Sequence, residues 1–208
     1  MPKGHYSDRE EILNVVTHGI GFLLSIVGFF ALLVKSQSTE QYIAAMIYGF
    51  SLSFMFLTSS IYHASTRPNL RNTLRKVDHT AIYLLIAGSY TPFLVFTIDG
   101  ALSKWGLIVI WAIGLFGMIF KLIAGAKYPK ISVSSYAIMG WLSLILIYPI
   151  YQNLSLLGFT LLLAGGICYS AGIPLYLLKS RHYSHTLWHV AVMAGAGCHF
   201  FTIYFFVI

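Results

Sequence analysis

Apolar stretches of membrane-crossing length recur seven times along the chain, at approximately 12–34, 41–62, 78–98, 104–124, 131–150, 154–178 and 185–207, with short polar or charged links between them. A spanning helix needs roughly 20 apolar residues, so each stretch predicts one transmembrane helix. The run 131–178 holds no Asp, Glu, Lys or Arg and is about twice the length of one span. It must fold back on itself, and Tyr151-Gln152-Asn153 after Pro149 supplies the polar break. Glu10-Glu11 and Lys121-Leu122 leave a few residues of slack at the ends of spans one and four. The predicted architecture is all-α, a seven-transmembrane-helix bundle forming one membrane domain over 1–208.

Composition agrees with this pattern. Hydrophobic residues make up 58% of the chain and charged residues 9%, with a mean hydropathy of +0.77, all outside the usage of soluble domains. The 13 cationic residues are distributed unevenly over the links. Eleven of them (Lys3, Arg9, Arg67, Arg71, Arg75, Lys76, Lys121, Lys127, Lys130, Lys179 and Arg181) belong to one side, and only Lys35 and Lys104 to the other. The positive-inside rule then places the N-terminus in the cytoplasm and the C-terminus outside. The same bias accounts for the net charge of +7 through topology and anionic headgroups, so no nucleic-acid partner is implied.

No cleavable signal peptide is expected, because the chain starts polar and acidic between His5 and Glu11 and the first apolar run is too long for an h-region. Cys168 and Cys198 sit in apolar helix without a CxxC pairing and read as small buried side chains. No repeat of 20 to 50 residues and no low-complexity tract is present. Pro92, Pro149 and Pro174 can kink spans three, five and six and loosen the bundle toward a cavity. Gly166 with Ser170, and Ala191 with Gly195, offer small surfaces for close helix approach. Trp105, Tyr148 and Tyr151 fit the outer aromatic belt, while Trp188 sits between two histidines on another helix face.

Candidate chemistry gathers at one depth. With the N-terminus inside, span two ends at the cytoplasmic face with Ser59 to His63, and span three begins there with Asp78 in its first turn. Span seven also begins there, with His185 and His189 at i and i+4 on one face. Three neutral imidazoles plus one water make the open tetrahedral arrangement of a catalytic zinc site, with a nearby carboxylate to orient the water or take its proton. Ser59, one turn from His63, could hold an imidazole N–H or a substrate oxygen. Other readings stand beside this one. Two interfacial histidines can be solvated anchors, and Asp78 can pair with Arg75 or Lys76 or favour a helix N-terminus. His79 is rotated about 100° from Asp78, His182 lies in a loop, and His199 is about 15 Å beyond His189. His18 reads as a packed or hydrogen-bonded histidine, or as support for the ligands.

The order Ser59-x3-His63, Asp78, His185-x3-His189 resembles the haemolysin III proteins, the bacterial branch of the progestin and adipoQ receptor family within the CREST superfamily that also holds alkaline ceramidases. Asn14-x2-Thr17-His18-x2-Gly21 and the SYTPF stretch from Ser89 to Phe93 extend the likeness over nearly the whole chain. The resemblance implies a multi-pass protein of the bacterial cytoplasmic membrane, with zinc held by His63, His185 and His189 and Asp78 contacting the water on the metal. It further implies hydrolysis of a lipid amide or ester, as in ceramide, or a role in membrane-lipid homeostasis, with membrane lipids or a lipid substrate as the partner. The alternative is a non-catalytic lipid sensor or a haemolysin-type cytolytic protein with a structural metal. The spans show no polar stripe to line a pore.

Overall fold

The structure, a computed structural model, describes residues 6–125, 127–178 and 181–208. Lys3, His5 and Lys179, which enter the reading of charge and N-terminus, lie outside the described residues. The helices are α1 (Asp8–Lys35), α2 (Thr39–Ala64), α3 (Pro68–Phe96), α4 (Gly100–Ala124), α5 (Pro129–Trp141), α6 (Ile147–Asn153), α7 (Leu156–Leu177) and α8 (Ser184–Phe206). A 3₁₀ segment, Leu142–Leu146, joins α5 to α6, so that Pro129–Asn153 forms one span. Among the described residues seven helices are then long and apolar enough to cross a membrane, which makes this a multi-pass membrane protein.

Local chemistry sets the helix ends. Ser7 and Glu10 form a reciprocal capping box at the start of α1, Ser38 accepts the Gln41 N–H at the start of α2, and Ser155 accepts the Gly158 N–H at the start of α7. Pro149 cannot donate to Ile145, and the backbone four residues before it has tightened into the 3₁₀ segment. Pro68 opens α3, where its missing N–H costs nothing. That start corrects the expected beginning of span three at 78. The first turns of α3 carry Asn69, Arg71, Asn72, Arg75 and Lys76, which hydropathy excludes from a span although the helix is continuous. Asp78 therefore lies nearly three turns inside α3 and not in its first turn.

The helices pack in chain order, α1 on α2, α2 on α3 and α3 on α4, and α7 on α8, while α1 closes the ring against α8. Most of α2 is enclosed, whereas α4, the fifth span and α7 turn most of their surface outward. Leu23, Val27 and Phe30 of α1, Phe116 and Ile123 of α4, and Ile145 stand exposed, an apolar belt suited to lipid. Trp105, Tyr148 and Tyr151 are also exposed. Cys168 and Cys198 are half-buried free thiols, less enclosed than expected. Close approach uses other small residues than Gly166, which has open space beside it; a Cβ at its neighbour Gly165 would overlap the His199 ring. One residue rotates a helix by about 100°, enough to move the contact from one glycine to the next.

Where α5 and α6 stand off from α3, α7 and α8, a cavity of about 210 Å³ remains, lined among others by Leu85, Tyr90, Ile147, Gly166 and Val192. His199, ten residues beyond His189, is in its wall.

Candidate metal centre

One end of the bundle collects the polar side chains. α2 delivers His63 in its last turn, 3% exposed, and α8 delivers His185 and His189 in its first two turns, 8% and 0% exposed. A ligand nitrogen from each of the three lies within 4.8 Å of those of the other two. The Nε2 atoms of His63 and His185 are 3.2 Å apart. Two nitrogens sharing a tetrahedral zinc at about 2.0–2.1 Å would be separated by about 3.3–3.4 Å, so this pair is already at ligand spacing.

The remote ring nitrogens decide what the near ones can do. His63 Nδ1 lies 2.6 Å from Glu11 Oε2, and since a carboxylate only accepts, the neutral ring carries its proton on Nδ1 and keeps its lone pair on Nε2. His189 Nδ1 lies 3.2 Å from the Thr17 hydroxyl. That hydroxyl donates to the Leu13 carbonyl at 2.8 Å, so its oxygen accepts from His189, and His189 Nε2 is likewise left as a lone pair. His189 Nε2 is fully buried and has no hydrogen-bond partner among the described residues. A buried acceptor without a partner is costly, and a cation bound by the three histidines would satisfy it. The donor set thus fits a metal ion held by three neutral imidazoles.

Around this group, Asp78 of α3 lies close enough to Ser59 and His63 to interact with both electrostatically. Asp78 is outside the close three-histidine group, as suits a carboxylate acting beside a metal. Its side chain is 14% exposed. His79 is not in the three-histidine group: its Nδ1 lies 2.6 Å from the Arg75 carbonyl and 3.5 Å from Asp78 Oδ2, and its Nε2 lies 3.2 Å from the Tyr176 hydroxyl. His182 is exposed. His18 stacks on His189 with ring centroids 3.5 Å apart, direct support for a candidate ligand.

Of α1, sequence reasoning offered His18 as support for the ligands but missed Glu11 and the contacts of Asn14 and Thr17. Glu11, Asn14, Thr17 and His18 lie on one helix face at i, i+3, i+6 and i+7 and line the rear of the cluster. The signal was present in that spacing of polar residues on an apolar span. Thr186 donates to Asn14 Oδ1 at 2.6 Å, linking the same face to α8. The neighbouring Glu10 accepts the backbone N–H of Tyr183, which has a left-handed φ of 60° just before α8 and so needs holding. Tyr6 stacks on His185 with centroids 4.7 Å apart. On the cavity side, Trp188 and Tyr176 contact His185 at ring-centroid distances of 5.1 and 6.0 Å. Both also line the apolar cavity, so the histidine cluster sits at the cavity's end.

The haemolysin-III-related family profile matches residues 6–200, nearly the whole membrane bundle and all five of the polar residues gathered from α2, α3 and α8. The chain belongs to this family. It is similar to Hemolysin-3 of Bacillus cereus, 40% identical over 203 residues that cover 96% of this chain and 93% of that protein. It is 37% identical to the Hemolysin-3 homolog of Bacillus subtilis over 204 residues, covering 97% and 96% of the two chains. The human Monocyte to macrophage differentiation factor is 29% identical over 205 residues, covering 94% and 83%. For this haemolysin-III-related chain, the buried three-histidine group is a potential metal-binding site.

Proposed function

We propose that this protein is a zinc-dependent hydrolase of a lipid amide or ester, with its active centre at the cytoplasmic side of the membrane and a role in membrane-lipid homeostasis. The observation that carries the reading is the junction of a buried three-histidine group with an apolar cavity through Trp188 and Tyr176. A cavity bordered by Leu85, Ile147 and Val192 suits an acyl chain, and its polar end suits the bond to be cleaved. His63, His185 and His189 would hold the metal. A zinc ion so bound supplies Lewis acidity and lowers the pKa of water toward 7. Asp78 would orient the attacking water and accept its proton, and the Ser59 hydroxyl, beside Asp78, fixes that carboxylate or meets a substrate oxygen. The orientation follows from the cation bias over the links, which puts the basic end of the bundle in the cytoplasm.

A second reading has support in the names of the Bacillus cereus and Bacillus subtilis relatives, a cytolytic role in which the metal only ties α2 to α8. Asp78→Asn separates the two. For a hydrolase, the variant keeps most of its zinc but loses at least roughly a hundredfold in lipid turnover, the scale of a lost general base. Comparing lipid extracts of a deletion strain complemented with wild type or Asp78→Asn reads this directly. A zinc-loaded Asp78→Asn protein that restores normal lipid composition defeats the hydrolase reading.

A further inference from the structure

The direction in which His63 presents its lone pair depends on one carboxylate, and we propose that Glu11 is a positioning residue of the metal centre. This rests on the metal reading above and adds to it a residue from α1, a helix that supplies none of the three imidazoles. Glu11 uses its two oxygens separately. Oε2 accepts the Nδ1 proton of His63 at 2.6 Å, while Oε1 accepts from Arg71 of α3. Arg71 is itself fixed, donating to the Ser65 carbonyl at 2.8 Å in the α2–α3 link and lying 4.8 Å from the centroid of the Tyr62 ring. The result is a carboxylate–histidine pair of the kind that fixes the tautomer and ring orientation of metal-bound histidines, braced by a guanidinium.

Asn14 does not take over this task. Its Nδ2 is 3.5 Å from the same His63 nitrogen, but an amide N–H cannot bond to a nitrogen that already carries a proton. Thr186 holds the Asn14 amide with its oxygen toward α8, so only Glu11 remains as an acceptor on this side of His63 in the hydrogen bonds of the described residues. Glu11 is also no ordinary helix-end charge, since its side chain is only 17% exposed. It orients a ligand on α2 from α1 and is in turn fixed from α3, so the geometry of the centre is tied to the packing of three helices.

The test uses full-length protein in detergent, with zinc affinity read by chelator competition, cobalt(II) spectra as a signature of ligand geometry, and thermal melts with and without zinc. Glu11→Ala is expected to bind zinc about 10–100-fold more weakly and to change the cobalt spectrum, with the zinc-free Tm little altered. Glu11→Gln, whose amide oxygen can still accept the Nδ1 proton, is expected to recover part of the affinity and carries the test if Glu11→Ala does not fold. Wild-type affinity in both variants overturns the proposal and leaves the metal site standing. So does an affinity loss matched by an equal fall in zinc-free stability, which would make Glu11 a general packing residue. A wild-type protein that takes up no zinc overturns both this inference and the metal reading.

Discussion

Convergence, more than a buried nitrogen without a hydrogen-bond partner, separates candidate ligands from other membrane histidines: His18 and His199 share that feature with His189, but among the described residues His63, His185 and His189 are the histidines that bring ring nitrogens within 4.8 Å of one another. Alanine at His63, His185 or His189 is expected to reduce zinc from about one ion per chain to a small fraction and to remove the rise in Tm on zinc addition, since the ion stabilises only the folded state. His199→Ala, distant in the cavity wall, is expected to keep nearly full occupancy. Metal analysis of the purified variants checks this, and full zinc in the His185→Ala/His189→Ala double variant would remove the histidine centre. These histidines were legible in the sequence because i,i+4 spacing and the parity of the spans bring them to one end of the bundle. Glu11 was not, because an acidic residue at the edge of an apolar run reads equally well as a solvated helix start; only tertiary packing aims it at His63. His18 read as a packed or hydrogen-bonded histidine or as support for the ligands, and its stacking on His189 joins packing to support.

Helix contacts in lipid have no hydrophobic drive between apolar faces, so small residues that admit close approach carry much of the specificity between elements. At Gly88 of α3 a Cβ would overlap the Ser51 side chain of α2, whereas Gly166 of α7 borders open space. Gly88→Val is therefore expected to destabilise the α2–α3 contact by about 1–3 kcal/mol, the scale of overpacking. Gly166→Ala is expected to be neutral or slightly stabilising through helix propensity. Thermal melts in one detergent compare the two, and equal Tm values would show that α2 and α3 are not locked at Gly88. Hydropathy found the apolar spans because each is long and continuous. It lost the first turns of α3, where Arg71 and Lys76 are helical but polar, and it could not resolve which of Gly165 and Gly166 faces α8.

At the scale of the whole molecule, the seven spans among the described residues, an odd number, imply that the N-terminus and C-terminus lie on opposite sides of the membrane, and the histidine centre lies at the end that gathers Arg71, Arg75 and Lys121. Eleven cations in the links and helix ends of one side against two on the other favour retention of that end in the cytoplasm. Reporter fusions are expected to report a cytoplasmic N-terminus and an external C-terminus at Ile208. The orientation also decides who can reach the metal. In intact cells a membrane-impermeant chelator is expected to leave the zinc in place, while in inverted membrane vesicles, where the basic end faces the medium, the same chelator is expected to strip it. Extraction from intact cells but not from inverted vesicles would place the histidine centre outside. Tyr6, which stacks on His185, is expected to slow extraction from the vesicles, so Tyr6→Ala should lose zinc faster without changing which side loses it.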